Sequence, residues 1–133
     1  MIPVLYGDAV LDYDQGFAIL SGDQIAATLA VRLDADRIIM GVDVDGLYTS
    51  DPKVDPSVHL IPHLTLEDLQ RLKEKIGGAT VSDVTGGMLG KVLELMVPIA
   101  NGVEAMIVNA LKPGIIYKAL KGEKVIGTKI TRK

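Results

Sequence analysis

Three short stretches carry most of the chemistry available to this chain. The first is Ser21-Gly22-Asp23, where a strand gives way to a helix. Backbone N–H groups at such a start can bind an anion, and Gly22 permits close approach. Asp23 can orient a cationic side chain or help hold Mg2+ near a transferring phosphoryl group. Its plainer role is to complement the helix dipole. The second stretch is Asp43-Val44-Asp45-Gly46-Leu47-Tyr48-Thr49-Ser50-Asp51-Pro52, an acidic turn directly after an apolar strand. Asp43 and Asp45 point to opposite sides if the strand conformation persists, and Tyr48 suits contact with an adenine ring. A polar surface turn is the simpler alternative. The third is Thr85-Gly86-Gly87, opening a helix with Lys91 one turn further on. Helical side chains lean toward the N-terminus, so Lys91 reaches back toward the Gly86 and Gly87 amides. Lysine charge, helix dipole and free N–H groups then converge where a phosphate would sit. The alternative is a surface lysine lying along its helix.

These stretches need an α/β scaffold to bring them together. Residues 2–6 read as a strand. Residues 10–13 and 17–20 flank the turn signal Asp14-Gln15-Gly16 and predict a hairpin. Ser21 predicts a helix N-cap, with Gln24 as its capping-box partner and Ile25, Leu29 and Leu33 as the apolar stripe beside Ala26 and Ala30. Residues 37–42 form the next strand, followed by a loop to about residue 64. Thr65 caps a second helix that buries Leu66, Leu69, Leu72 and Ile76 and ends at Gly77-Gly78. A third helix spans about 86–100, interrupted near Pro98. Strands at 103–108 and 125–130 enclose a short helix at 115–120. Strands alternating with helices predict a three-layer αβα sandwich around a mainly parallel sheet, with the hairpin near the N-terminus.

The chain has 133 residues, one domain's worth, with 48% hydrophobic and 23% charged residues and a mean hydropathy of +0.31. These values fit a compact α/β domain with a heavily buried sheet. No apolar run reaches membrane-spanning length, and no basic leader precedes Ile2-Pro3-Val4. The absence of cysteine excludes disulfides and thiol chemistry and makes the cytoplasm the default compartment. Net charge is −3, divided as −7 over residues 1–55 and +4 over residues 56–133. With four Tyr, one Phe and no Trp, the basic end lacks the stacking aromatics of a nucleic-acid surface. His59 and His63 are separated by Pro62 and do not read as a metal pair, so no metal ligands are assigned. Met88, Met96 and Met106 read as core filler.

In order and spacing, these segments resemble the amino acid kinase family, and within it the isopentenyl phosphate kinases of archaeal type. The matching stretches are Leu5-Tyr6-Gly7-Asp8, Ser21-Gly22-Asp23-Gln24, Ala35-Asp36, Asp43-Val44-Asp45-Gly46-Leu47-Tyr48 with Asp51-Pro52, and Asp83-Val84-Thr85-Gly86-Gly87-Met88 with Lys91. The resemblance covers essentially the whole chain, but only the C-terminal, nucleotide-binding half of the family fold. It implies transfer of the γ-phosphate of ATP, with Mg2+, to isopentenyl phosphate. It further implies that Asp23 organises the catalytic lysines and that Lys91 stabilises the transferring phosphate. It assigns Asp43, Val44, Tyr48, Asp51, Gly86 and Gly87 to the ATP site along with Lys91, and puts Gly22 near the acceptor phosphate.

Members of the family also carry an N-terminal lysine, a Gly-Gly-Ser-type loop, an acceptor-binding histidine and a hydrophobic acceptor pocket, none of which this chain matches. The expectation is a single nucleotide-binding half-domain over residues 1–133 with little activity alone. An N-terminal half supplied in trans would complete it, and its bared surfaces predict a homodimer. The competing readings are a non-catalytic, self-associating nucleotide-binding or structural domain, and half of another family member such as a uridylate kinase.

Overall fold

A computed structural model describes residues 1–49, 57–76 and 88–133. The expected roles of Asp51, Gly86 and Gly87, the Gly77-Gly78 helix end and the Ile76 side chain lie outside the described residues. Two sheets are present among those described. Strands β1 (Asp8–Asp12) and β2 (Gly16–Leu20) form an antiparallel hairpin, with Asp12 opposite Gly16. Its turn is held by the Asp12 carboxylate, which accepts the N–H groups of Asp14 and Gln15, and by Gly16 at φ 80°. That left-handed conformation costs glycine little and a branched residue much.

The second sheet has the order β3-β5-β6-β4, from β3 (Arg37–Val42), β4 (His63–Thr65), β5 (Glu104–Asn109) and β6 (Thr128–Thr131). β3 and β5 are parallel, as are β4 and β6, while β5 and β6 are antiparallel. The sheet is thus mixed and mainly parallel, and it is covered on both faces. On one face Ile38, Met40, Ala105, Ile107 and Ile130 pack against α1 (Gly22–Arg32), α2 (Leu66–Ile76), α3 (Met88–Glu94) and α4 (Met96–Ala100), through Ala30, Leu69, Val92 and Ile99. On the other face Val108, Ile39 and Met106 pack against Ile115 and Ala119 of α5 (Ile115–Leu120). Alternate residues of β3 and β5 therefore serve opposite layers, which explains why both strands read as unbroken apolar runs.

Both helix caps follow the sequence. Ser21 Oγ accepts the Gln24 N–H and Gln24 Oε1 accepts the Ser21 N–H, closing a capping box. Thr65 and Asp68 reciprocate in the same way before α2. Met88 and Met96 pack against the larger core and Met106 against the smaller, as filler.

Several expectations change. Residues 2–6 form no strand; Ile2, Val4, Leu5 and Tyr6 are exposed, and no described strand pairs with them. The buried face of α1 is Ala27 and Ala30 with Ala26 beside them, whereas Leu29 and Leu33 point outward. Small residues let α1 lie close to β3, α3 and α4, a fit that a leucine stripe would obstruct. The third helix is interrupted near Pro98 as expected, with the break falling at Leu95. Pro98 has no N–H for the carbonyl four residues back, that of Glu94, and its ring crowds the same group, so the helix restarts one turn earlier. β4 lies where the sequence predicts the end of a loop; at three residues it is too short for periodicity to reveal.

Candidate functional site at the carboxyl ends of β3 and β5

Chain direction determines which residues meet. The short connection 33–36 returns α1 onto β3, so α1 runs antiparallel to it and its N-terminus lies at the carboxyl end of β3. Residues 101–103 do the same for α4 and β5, where the Val103 N–H is bonded to the Pro98 carbonyl. Strand ends and helix starts therefore share one edge of the sheet, where α/β folds bind ligands.

Asp23 and Lys91, 68 residues apart, meet at this edge: Lys91 Nζ donates to Asp23 Oδ2 at 2.8 Å. Asp23 lies in the first turn of α1 and Lys91 in α3, so each leans toward the N-terminus of its own helix. Their side chains are 29% and 47% exposed, so the pair contributes little to stability and remains open to a ligand. Gly22 starts α1 and is exposed. Gly7 sits tightly against it: a Cβ on Gly7 would be 2.7 Å from the Leu20 carbonyl oxygen and 2.9 Å from the Gly22 nitrogen.

The loop after β3 is the second element. Asp43 follows the strand directly and is exposed, Val44 and Tyr48 are half-buried, and Leu47 is buried. Asp45 Oδ1 accepts from Lys112 Nζ at 2.7 Å and from Asn109 Nδ2 at 3.0 Å. These bonds hold the Asp45 carboxyl below its usual pKa, the lysine bond first and the amide bond second, against a smaller opposing effect of burial. The Leu47 N–H donates to Thr128 Oγ1 at 2.8 Å, and the Thr128 hydroxyl donates to the Ile61 carbonyl at 2.6 Å. Tyr48 pairs with Leu60 in an isolated antiparallel bridge, flanked by bonds from Ile61 N–H to Leu47 O and from Thr49 N–H to His59 O.

Thr128 is fully buried and joins three segments of chain. Thr128→Val keeps its shape but strands the Leu47 N–H and the Ile61 carbonyl. A loss of about 2 kcal/mol is expected in urea melts, within the range for buried unsatisfied groups.

Thr65 similarly lowers the Asp68 carboxyl, through its hydroxyl first and its backbone N–H second. Both Asp45 and Asp68 have folded pKa values below their unfolded ones. The stability they add is therefore full above about pH 4 and is lost as pH falls through the lowered values. Denaturant melts at fixed salt should show that loss in the native chain and a smaller one in a variant carrying Asp45→Asn and Asp68→Asn.

Sequence reasoning placed Asp23, Lys91, Asp43, Val44, Tyr48 and Gly22 in potential site segments, and the fold brings Asp23 and Lys91 into contact. It missed Asn109, Lys112 and Thr128. A polar residue ending an apolar strand, followed by Ala-Leu-Lys-Pro-Gly, was a usable signal for the first two. Among the described residues, no cluster of three or more His, Asp or Glu side chains is placed to hold a metal ion.

The sequence model of the amino acid kinase family matches residues 1–109. The chain belongs to the amino acid kinase family. It is 47% identical over 136 aligned positions to the isopentenyl phosphate kinase of Methanothermobacter thermautotrophicus, covering 100% of this chain and 50% of that protein. It is 35% identical to the isopentenyl phosphate kinase of Methanocaldococcus jannaschii over 98% of this chain and 46% of that one. Among solved structures, one of an isopentenyl phosphate kinase superposes with a TM-score of 0.76 at 41% identity, over 98% of this chain and 46% of its own. Uridylate kinase from Archaeoglobus fulgidus superposes at 0.60 with 29% identity, over 84% and 47%. This amino acid kinase chain therefore spans about half the length of the curated relatives it matches.

Proposed function

We propose that this chain forms the ATP side of a kinase that passes the γ-phosphate of Mg-ATP to isopentenyl phosphate. The observation that carries the reading is the meeting of Asp23 and Lys91 at the edge where β3 and β5 end. Phosphoryl transfer asks little covalent chemistry of a protein; it needs positioned charge beside the moving phosphate. Lys91 supplies that charge and Asp23 holds it in place until phosphate competes for it. Gly22 lies toward the acceptor phosphate. Asp43, Val44 and Tyr48 flank the nucleoside; Asp51, Gly86 and Gly87 are assigned to the ATP site by the family resemblance alone. Mg2+, where bound with the nucleotide, would supply positive charge beside the phosphates, and Asp23 is the carboxylate at this edge placed to help hold it. The compartment implied is the cytoplasm.

The isopentenyl phosphate acceptor is supported by the identity to two archaeal enzymes of that name. Uridylate and glutamate 5-kinases are the alternatives, because relatives with those names also match. A charge clamp needs both walls, so turnover by these residues alone is expected to be slow. The exposed Ile2, Val4, Leu5 and Tyr6, with Leu11, Phe17 and Ile19 of the hairpin, support self-association as a dimer or docking with a second polypeptide. A coupled ADP-release assay tests the acceptor, using isopentenyl phosphate, UMP and glutamate in parallel, with and without an added N-terminal half. Isopentenyl phosphate should give the highest kcat/KM, and a preference for UMP would replace it as acceptor. Light scattering beside the assay reports the assembly; a strict monomer that turns over unaided would refute the incomplete-clamp reading.

A further inference from the structure

We propose that Lys112, acting with Asn109 through Asp45, is a positioning residue that holds the 43–48 loop in its nucleotide-binding form before nucleotide arrives. This inference rests on the ATP-site reading of that loop, and neither Lys112 nor Asn109 belongs to the segments that led to that reading.

Asp45 Oδ1 receives two donors, Lys112 Nζ at 2.7 Å and Asn109 Nδ2 at 3.0 Å. The Asn109 amide has only one useful orientation, because its Oδ1 accepts the Leu111 N–H at 3.0 Å. Its Nδ2 is thereby aimed at Asp45. The backbone repeats the link. Asn109 is the register partner of Val42 at the end of the β3–β5 ladder, and the Ala110 N–H continues it to the Val42 carbonyl at 2.8 Å. Lys112 is itself seated in a turn, its N–H bonded to the Asn109 carbonyl and its carbonyl accepting the Ile115 N–H. The β5–α5 connection is thus a fixed rest for the loop on one side, while Thr128 holds Leu47 from the other. Asp43 and Tyr48 bracket Asp45, so fixing Asp45 fixes the spacing between them.

A lysine at this edge has a second use, direct contact with a phosphate, and the two uses predict different mutational patterns. The variants are Asp45→Ala, Lys112→Met, their combination, and Lys112→Arg. Calorimetry with adenosine and with Mg-ATP reads binding. Amide hydrogen exchange at Leu47 and Thr49, whose N–H groups are bonded to Thr128 Oγ1 and the His59 carbonyl, reads the loop, with Ile107 and Ile130 as core references. A half-exposed pair predicts a loss of about threefold to fivefold in affinity for Asp45→Ala and for Lys112→Met, equal for adenosine and Mg-ATP. The double variant should be no worse than Asp45→Ala, and Lys112→Arg should recover most of the loss. Loop exchange should rise by a similar factor while the core amides stay unchanged.

Loss of Mg-ATP affinity alone in Lys112→Met, not reproduced by Asp45→Ala, would make Lys112 a phosphate ligand and overturn the proposal. Additive losses, or loop exchange unchanged in Asp45→Ala, would also overturn it. If the native chain binds neither adenosine nor Mg-ATP, the nucleotide reading fails by itself. Loop exchange then decides the positioning role without any ligand.

Discussion

Gly46→Ala is expected to destabilise the chain by about 3 kcal/mol, from backbone strain and overpacking together. Gly46 sits at φ 155°, outside the range that L side chains readily adopt. A Cβ there would be 2.6 Å from Thr128 Oγ1 and 2.9 Å from both the Thr128 nitrogen and Leu60 Cδ1. The Thr128 hydroxyl cannot turn away without losing the Leu47 N–H or the Ile61 carbonyl, and its backbone cannot yield without disturbing β6. The loop must therefore lift, and with it Asp43, Asp45 and Tyr48. Nucleotide affinity should fall together with the urea midpoint. Gly90→Ala is the matched control: its Cβ would meet nothing within 4 Å among the described residues, and alanine favours a helix by up to about 1 kcal/mol over glycine. A Gly46→Ala variant as stable as Gly90→Ala would show that the loop does not rest on β6 as described.

The contrast between Gly46 and its surroundings also marks what could be read from the sequence. Local signals were strong where one segment supplies both partners, as in the Ser21–Gln24 capping box, the Asp12–Gly16 hairpin turn, and β3 and α5, whose limits match expectation. They failed where the partner lies far along the chain. Thr128 is 81 residues from Leu47 and 67 from Ile61, and no local pattern announces that a threonine will be fully buried to bond both. The alanine face of α1 was hidden for a related reason: leucines outweigh alanines in any periodicity argument, yet close packing onto β3 and α4 favours the smaller side chains. Residues 2–6 have the composition of a strand, but a strand also needs a neighbour, which composition does not supply. Asp23 and Lys91 were legible as helix-start residues, whereas their contact emerges only once α1 and α3 both begin at the same edge.

That contact sets the largest functional effect. In any preparation in which this chain supports phosphoryl transfer, Lys91→Ala should lower kcat by roughly 10²–10³, the usual cost of removing one preorganised donor from developing charge. The KM for the acceptor should change much less, because Lys91 is expected to act on the moving phosphate and not on the acceptor's apolar part. Lys91→Arg should restore only a fraction, since guanidinium keeps the charge but not the compact ammonium geometry. Asp23→Asn separates holding the lysine from supplying the charge. The ammonium remains, but its carboxylate partner at 2.8 Å is lost, so kcat should fall less than in Lys91→Ala. The two losses should also be non-additive in the double variant, as for any contacting pair. Fold loss cannot mimic this pattern, because a half-exposed pair contributes under about 1 kcal/mol to stability and melts should hardly move. Equal reductions in kcat for both single variants that multiply in the double would mean that Asp23 and Lys91 act at separate points, and the shared role assigned to them would be wrong.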